Sequence, residues 1–293
     1  TTLCLATAAQ ITLAPAMNRQ MWANPATQAN VRTLRERGIR LLGPDAGEQA
    51  CGEVGVGRMV EPTRIAEEVF TVRGAAGVLK GLKVVVTAGP TRERIDPVRF
   101  ISNRSSGKMG FAVAEAAREA GADVVLVSGP VQIATPMGIE RIEVESAEQM
   151  LNVVQQQIVN ADIFVAAAAV SDYRCSDISS EKIKKTSDTM TLALARAPDV
   201  LATIGPRESP PFLVGFAAET ENVERNALAK LSGKNLDMIA ANKVGDGLGF
   251  DKDDNALTLY WSGGKQELTL TSKIALARQL VELIAERYRS RGS

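Results

Sequence analysis

The chain after residue 80 alternates between short apolar runs and stretches with the apolar spacing of helices. Lys83–Thr87, Asp123–Ser128 and Asp162–Val170 are typical of strands buried on both faces. Gly107–Ala120 has the spacing of an amphipathic helix, and Gly121 is a suitable residue to end it. The same pattern predicts strands at Ile139–Val144, Phe212–Phe216, Met238–Ala241, Ala256–Trp261 and Glu267–Thr271, and helices from Ser146 and over Ser272–Arg289. We therefore predict a doubly wound, mainly parallel α/β sheet with a small antiparallel extension.

The first 73 residues show a weaker pattern with a few short elements. The predicted elements are a strand within Thr2–Leu13, a helix over Pro25–Arg37 ending at Gly38, a short strand at Ile39–Leu42 and a helix over Pro62–Val72. These strands are too few for a closed sheet. Arg73–Lys80 contains glycine and alanine and is interpreted as a linker, so we expect domains at 1–73 and 74–293.

One connection is far longer than a strand-to-helix link requires. Ala88–Ser106 joins the first regular strand to its helix, whereas such links usually take roughly 2–6 residues and longer ones are often functional. The residues that follow, Asn103–Lys108, lie at a helix N-terminus, where free amides, hydroxyls and cations suit a phosphate or carboxylate. They form neither a Walker-A loop nor a GxGxxG fingerprint, so a serine-capped helix after a loose loop is the alternative.

Polar residues follow other predicted strands, and the carboxyl ends of parallel strands meet at one edge of a sheet. Asp172 has the chemistry of a magnesium ligand, although a lone aspartate is more often part of a turn. Lys182, Lys184 and Lys185 form either a solvated face or a cationic lid over a triphosphate. Phe216, flanked by small residues, is placed to lie against a base or ribose. The convergence of these loops predicts a ligand site better than any single motif does.

The composition excludes several functions. The 34 basic and 34 acidic residues cancel, so we expect no general nucleic-acid binding, and no apolar run approaches the roughly 20 residues of a membrane span. The absence of histidine excludes Ser-His-Asp hydrolysis and most zinc chemistry. Three cysteines without a CxxC pair indicate a reducing compartment, and we expect a cytoplasmic protein. The first residues lack a basic region and an initiator methionine, which favours a chain cut from a longer one.

A series of motifs resembles a known bacterial family, the bifunctional phosphopantothenoylcysteine decarboxylase/phosphopantothenate–cysteine ligase of coenzyme A biosynthesis. The motifs of its ligase half stand in order at Thr87–Thr91, Arg99–Gly110, Ala167–Tyr173, Lys182–Lys185, Gly215–Thr220 and Asn255–Leu257. The resemblance runs from about residue 75 to the end and is specific. Ala50–Met59 is predicted to be a flexible glycine-rich loop around one thiol. Pro15–Asn18 and Ala50–Met59 are similar to the C-terminal part of the decarboxylase half. A Rossmann-like domain preceded by a fragment of a flavodoxin-like flavoprotein domain is therefore implied.

The resemblance implies a reaction and a set of site residues. The family activates 4′-phosphopantothenate with CTP to an acyl-cytidylate, whose acyl group then passes to cysteine. By resemblance, Asn103 and Arg99 contact the acyl substrate and act in catalysis, and Lys182 stabilises the transition state. Nucleotide or phosphate contacts are expected at Ser105, Ser106, Gly107, Lys108, Ala168, Ala169, Lys184, Lys185 and Phe216. Asp172 is expected to bind Mg²⁺, and a homodimer through the ligase domain is expected.

The decarboxylase half is expected to be incomplete. Asn18 matches a substrate-binding asparagine of that half and Cys51 matches its catalytic cysteine. That half also requires an N-terminal flavin-binding region and a histidine, so we expect FMN only in a complete decarboxylase and Cys51 to be idle here. Two alternatives stay open: an NAD(P)-linked oxidoreductase, which needs a glycine fingerprint directly after the first strand, and a non-catalytic flavoprotein subunit, which would be yellow.

Overall fold

The computed structural model describes residues 2–7, 11–48, 52–62, 64–65, 77–185, 188–243 and 254–291. The chain divides into two compact units, Thr1–Val72 and Arg73–Ser293. Each unit is described on its own, since each has its own set of contacts.

The N-terminal unit consists of short elements. They are α1 (Thr2–Leu5), β1 (Thr12–Leu13), α2 (Arg19–Ala23), α3 (Pro25–Glu36), β2 (Arg40–Leu41), β3 (Asp45–Glu48) and β4 (Val54–Arg58). Strands β1 and β2 pair in parallel, and β3 and β4 form an antiparallel hairpin. The predicted helix α3 is confirmed: Asn24 caps it through the Ala26 amide at 2.9 Å, and Gly38 follows with φ +79°.

Two predictions for this unit are wrong in part. The expected strand in Thr2–Leu13 starts as helix α1, because an apolar run without a clear period fits either structure. The glycine-rich stretch expected to be a loop contains β4, which gains its strand hydrogen bonds from β3. Most of the predicted helix at Pro62–Val72 and the first part of the linker lie outside the described residues.

The second unit alternates strands and helices as predicted. Its elements are β5 (Lys83–Ala88), β6 (Arg92–Arg94), β7 (Phe100–Ser102), α4 (Lys108–Glu119), β8 (Asp123–Ser128), β9 (Glu140–Glu143), α5 (Ala147–Gln157), β10 (Ile163–Ala166), β11 (Tyr173–Cys175), β12 (Leu194–Arg196), α6 (Val200–Ile204), β13 (Phe212–Glu219), α7 (Val223–Gly233), β14 (Met238–Lys243), β15 (Asp254–Trp261), β16 (Gly264–Ser272) and α8 (Lys273–Arg291). Eight of these strands form one sheet in the order β16-β15-β14-β13-β10-β5-β8-β9. The pairs β14–β15 and β15–β16 are antiparallel and the others are parallel, which confirms the predicted sheet.

Successive side chains of the central strands enter two separate cores. In β5, Val84 and Val86 pack with α4 and α8 on one face, while Val85 packs with α5, α6 and α7 on the other. All three valines are at most 1% exposed. A strand buried on both faces requires a continuous apolar run, and this is why the pattern identified β5 correctly.

The direction in which the chain winds reverses between β5 and β10. From β5 it proceeds outward to β8 and β9, and it then returns to β10 and proceeds outward through β13 to β14 on the other side. Doubly wound sheets bind ligands at such a switch point, beyond the carboxyl ends of the strands. Strand β10 ends at Ala166, earlier than predicted, and Ala167 and Ala169 then donate to the carbonyls of Thr87 and Gly89 at 3.2 and 2.9 Å.

Candidate functional site

A cavity of about 820 Å³ opens at the switch point, between the loops after β5, β10, β13 and β14. It brings together most of the residues expected at the ligase site: Asn103, Ser105, Ser106, Gly107, Lys108, Ala168, Ala169, Asp172 and Phe216. These residues come from separate loops, and they meet because parallel strands place their carboxyl ends at one edge.

The phosphate corner of the cavity, Ser105–Gly110, is built by close packing of α4 on the sheet. Gly107 is the N-cap of α4 with φ +78°, a conformation that glycine adopts without strain. A Cβ on Gly110 would lie 2.5 Å from Cβ of Ala88, so a glycine is needed for α4 to approach β5. The amides of the first turn of α4 therefore lie at the cavity, where they and the helix dipole favour an anion.

Asn103 is held beside the loop that follows β10. Its Nδ2 donates to the Val170 carbonyl at 2.9 Å. The next residue back, Ser102, donates from Oγ to the Thr91 carbonyl at 2.7 Å, and Thr91 in turn accepts at Oγ1 from the Ser171 amide at 3.0 Å. Thr91 is fully buried. This network fixes the Asn103 side chain at the cavity wall, with one of its two amide N–H groups donated to Val170.

Asp172 lies on the cavity and its side chain has no ion-pair partner among the described residues. The other aspartate of the wall, Asp199, is paired with Lys234 at 2.7 Å and caps α6 through the Ala202 amide. Within the described ranges there is no cluster of three or more acidic, cysteine or histidine side chains that could hold a metal alone. One free carboxylate fits Mg²⁺ bound chiefly through ligand phosphates.

Two lysines of the cavity wall were not predicted from the sequence. Lys230, near the end of α7, pairs with Glu219 at 2.7 Å, and Lys234 at the C-cap of α7 pairs with Asp199. Burial alone would raise the pKa of both carboxyls, but hydrogen bonds from the lysines and from Asn226 or the Ala202 amide leave each pKa below its ordinary value. The ionised carboxylates thus keep the two ammonium groups at the cavity. The four-residue spacing of these two lysines was the sequence feature that could have indicated them. It was not decisive, because the same spacing is typical of a solvated helix face.

Lys273 is a third cation of the wall that the sequence did not indicate. It is the first residue of α8, is 7% exposed and lines the cavity, as do Asn242 and Asn255. Its positive charge at the wall adds to the suitability of the cavity for anions.

Four of the residues predicted for the ligase site do not line the cavity wall. Lys182, Lys184 and Lys185 are exposed and belong to the lysine segment, Glu181–Lys185. Arg99 lies in the turn between β6 and β7, where Nη2 donates to the Ile183 carbonyl at 3.0 Å. The structure thus connects Arg99 with the lysine segment, outside the wall itself.

The residues expected for decarboxylation lie in the N-terminal unit. Asn18 caps α2 by accepting from the Gln20 amide at 2.7 Å, and its Nδ2 donates to Glu53 at 2.9 Å. Cys51 lies outside the described residues. Both groups of the Asn18 amide are therefore engaged within the unit.

Comparison with protein families gives the class of each unit. Residues 79–288 match the model of the DNA/pantothenate metabolism flavoprotein C-terminal domain. Residues 2–74 match a model described as Flavoprotein. The class of the second unit is thus a doubly wound domain known from pantothenate metabolism.

Similar sequences and structures identify the family more closely. The coenzyme A biosynthesis bifunctional protein CoaBC of Vibrio cholerae is 52% identical, over 98% of this chain and 72% of that protein. A crystal structure of the C-terminal domain of CoaBC is similar with a TM-score of 0.63 and 41% identity, covering 73% of this chain and 99% of that one. The chain belongs to the family of coenzyme A biosynthesis bifunctional proteins, which confirms the resemblance seen in the motifs.

A more distant structure shares the fold. It is a mutant of Cab2 in complex with phosphopantothenate-cysteine, with a TM-score of 0.58 and 17% identity, covering 78% of this chain and 94% of that one. In the part of the chain that the structure describes, no helix is long and apolar enough to cross a membrane.

Proposed function

We propose that residues 74–293 form a phosphopantothenate–cysteine ligase that uses CTP, and that residues 1–73 belong to the decarboxylase portion of the bifunctional family. One observation carries the proposal: a single cavity at the switch point combines a helix N-terminus, several lysines, a free carboxylate and Asn103. Such a set suits two anionic substrates, a nucleoside triphosphate and a phosphorylated acid. The family of the chain, and the ligand named for the Cab2 structure, support this choice of substrates.

The first step forms an acyl-cytidylate. A carboxylate oxygen of 4′-phosphopantothenate attacks the α-phosphorus of CTP, and the bond to the bridging oxygen breaks to release pyrophosphate. Two anions approach each other, and negative charge gathers on phosphoryl oxygens. Lys182 lowers the barrier if its ammonium lies closer to that charge in the transition state than in the ground state.

The second step forms the amide. The amine of cysteine attacks the acyl carbon, CMP leaves with the bonding electron pair, and the amine loses its proton to solvent. Asn103 holds the acyl group during this transfer through the second N–H of its Nδ2, since the first is donated to the Val170 carbonyl. A free carboxylate is a poor acyl donor. The acyl-cytidylate reacts faster with the amine because its leaving group, CMP, is a phosphate ester anion.

The proposed ligand contacts follow the cavity wall. Ser105, Ser106, Gly107 and Lys108 hold phosphate, while Ala168, Ala169 and Phe216 accommodate the nucleotide, and Lys230 and Lys234 hold further phosphate oxygens. Asp172 holds Mg²⁺, which neutralises phosphate charge when bound. Lys184 and Lys185 add positive charge from the lysine segment.

A dinucleotide-dependent oxidoreductase is a less well supported hypothesis for a protein with this sheet. Such enzymes place a glycine-rich turn directly between the first strand and its helix, and an acidic residue at the end of the second strand for the ribose. Here Ala88 is followed by Gly89, Pro90 and the hairpin β6–β7, and β8 ends in the buried Ser128. Neither feature supports a dinucleotide.

We derive no decarboxylation step for the N-terminal unit. The amide of Asn18 accepts from the Gln20 amide and donates to Glu53, so it is engaged within the unit. FMN is therefore proposed only for a complete decarboxylase half of the family, and Cys51 is proposed to have no catalytic part in this chain.

A homodimer through the ligase domain is also proposed. Strand β16 is at the edge of the eight-stranded sheet and exposes Leu270 (72%), so its free backbone groups offer a surface for a second copy. A monomer mass in light scattering at micromolar concentration would contradict this.

The proposed function is tested by product formation. The purified chain is incubated with 4′-phosphopantothenate, cysteine, Mg²⁺ and either CTP or ATP, and phosphopantothenoylcysteine is measured by mass spectrometry. We expect product with CTP, little with ATP, and none when any substrate is omitted. Unchanged 4′-phosphopantothenate under all conditions, or carbon dioxide release from added phosphopantothenoylcysteine, would contradict the proposal.

A further inference from the structure

The hairpin β6–β7 is fastened at its base to the start of α5. Oε1 of Glu93, which is 4% exposed, accepts from the Ala147 amide at 2.9 Å. The Arg92 amide donates to the Glu145 carbonyl at 2.7 Å. The base of the hairpin is therefore fixed on the core of the ligase unit, and its turn extends from a rigid support.

A buried carboxylate joins that turn to the lysine segment. Oδ1 of Asp96 accepts from the amides of Val98 and Arg99, both at 2.8 Å, and Oδ2 accepts from the Ile183 amide at 3.2 Å. The side chain of Asp96 is fully buried. Ile183 directly follows Lys182, so the carboxylate holds the backbone next to the proposed catalytic lysine.

Arg99 holds the same residue from the other side. Its Nη2 donates to the Ile183 carbonyl at 3.0 Å, and its Nη1 lies 3.6 Å from Oδ2 of Asp96. The Ser179 amide also donates to the Ile95 carbonyl at 3.0 Å. Both backbone groups of Ile183 are thus bound by one ion pair, which limits the directions in which the side chain of Lys182 can point.

The surroundings of Asp96 stabilise the ionised form of its carboxyl group. Burial alone would raise the pKa of its carboxyl, but the amides of Val98, Arg99 and Ile183 and the guanidinium of Arg99 leave the pKa below its ordinary value. The carboxylate is therefore ionised throughout the neutral range, where it holds the segment most strongly.

We propose that Asp96 is a positioning residue for the ligase reaction, because it holds the lysine segment through Ile183 and so places Lys182 for acyl-cytidylate formation. The inference rests on the proposed function, in which Lys182 serves that step. Asp96 does not line the cavity and does not contact the substrates there. Its effect on the reaction must therefore pass through the segment.

The test begins with Asp96→Asn in the full chain. The variant loses the charge and one acceptor, so we expect the single-turnover rate of pyrophosphate formation at saturating CTP to fall roughly 10- to 100-fold, the scale of a misplaced catalytic group. The KM for CTP should change little, because the phosphate corner is untouched. Asp237→Asn is the matched control: Asp237 accepts from the Leu213 amide at 2.7 Å and pairs with Arg291 at 3.2 Å, at the opposite edge of the sheet. Its rate should equal that of the wild type.

A double variant separates positioning from a general loss of structure. If Asp96 acts through Lys182, the double variant Asp96→Asn/Lys182→Gln should be about as slow as Lys182→Gln alone. Multiplied losses would overturn the inference, as would a wild-type rate for Asp96→Asn beside a slow Lys182→Gln. A wild-type rate for Lys182→Gln would overturn the proposed role of Lys182 together with this inference.

Ile183→Pro provides a second test of the inference in case Asp96→Asn does not fold. It removes the amide donor to Asp96, fixes φ at position 183 and restricts the backbone of Lys182, and it leaves the bonds of Asp96 within its own turn. The same selective loss of pyrophosphate formation is expected, with an unchanged circular dichroism spectrum. A folded Ile183→Pro variant at the wild-type rate would contradict the inference.

Discussion

Two groups of cations serve the proposed site, and they are held in different ways. Lys108, Lys230 and Lys234 stand at the ends of helices packed on the sheet, and all three line the cavity. The lysine segment lies outside the wall, is exposed, and is held through its backbone by Asp96 and Arg99. The difference indicates two roles: the helices packed on the sheet provide the cations that bind phosphates, and an exposed segment positioned through its backbone provides the cation that acts in the transition state.

Such a division has a physical reason. A cation fixed in the wall attracts the ground state and the transition state about equally, so it contributes affinity more than rate. A cation on a segment outside the wall can instead be positioned where it lies close to the charge only as that charge develops.

The largest effect is expected from substitution of Lys182, which distinguishes the lysine segment from the cations of the cavity wall. Lys182→Gln should slow pyrophosphate formation by roughly 10²–10³-fold, the usual loss for one preorganised donor. CTP binding should weaken much less, since the wall cations remain. Rapid-quench experiments with labelled CTP give the rate, and equilibrium dialysis gives the affinity. Equal losses in rate and affinity would remove the distinction between segment and wall.

Asn103 should affect the second step more than the first. Asn103→Asp loses the donor to the Val170 carbonyl and places a negative charge beside it, so the acyl group is held poorly. We expect pyrophosphate to form while CMP release after addition of cysteine slows by roughly 10²-fold. Following the two products separately checks this, and normal turnover of cysteine would show that the assigned role is wrong.

Lys234 tests the wall group. Lys234→Gln should raise the KM for CTP roughly threefold to tenfold with little change in kcat, since the lost interaction is partly exposed and present before the reaction. Lys265→Gln is the matched control, because Lys265 is an exposed lysine paired with Glu224 at 3.2 Å and does not line the cavity. A change in kcat without a change in KM would reverse the proposed division.

The smallest expected effect is on stability at acid pH. The folded pKa of Asp96 is lower than its ordinary value of 3.8, so its ionised form stabilises the fold above that value. This contribution is lost as the pH falls through the folded pKa. The urea midpoint of Asp96→Asn should therefore lie below that of the wild type at neutral pH, and the difference should shrink below about pH 4. A difference that grows on acidification would contradict the sign.

The main sheet could be predicted because its strands carry their own signal. Lys83–Ala88 and Asp123–Ser128 are buried on both faces, so burial imposes continuous apolar runs. The hairpin β6–β7 was missed because Arg92-Glu93-Arg94 shows no apolar alternation. That strand is held by tertiary contacts instead, such as the bond from the Ala147 amide to Glu93.

The site was predictable only where a loop was unusual. Asn103–Lys108 stood out through the length of the preceding loop, and Asp172 through its place after a strand. Lys230 had only an ambiguous spacing signal and Lys273 had none, because a lysine on a helix is usually solvated and its burial depends on the fold. The role of Asp96 could not be predicted either, because its partner Ile183 is 87 residues away in the sequence and only the fold brings them together.

The central claim is that this one cavity activates a carboxylate with CTP before cysteine takes part. The most direct measurement is the time course of pyrophosphate and CMP after mixing the chain with 4′-phosphopantothenate, CTP and Mg²⁺ without cysteine. The account predicts a burst of pyrophosphate about equal to the concentration of active sites and no matching release of CMP until cysteine is added. Pyrophosphate that appears only together with cysteine, or no pyrophosphate at all, would contradict it.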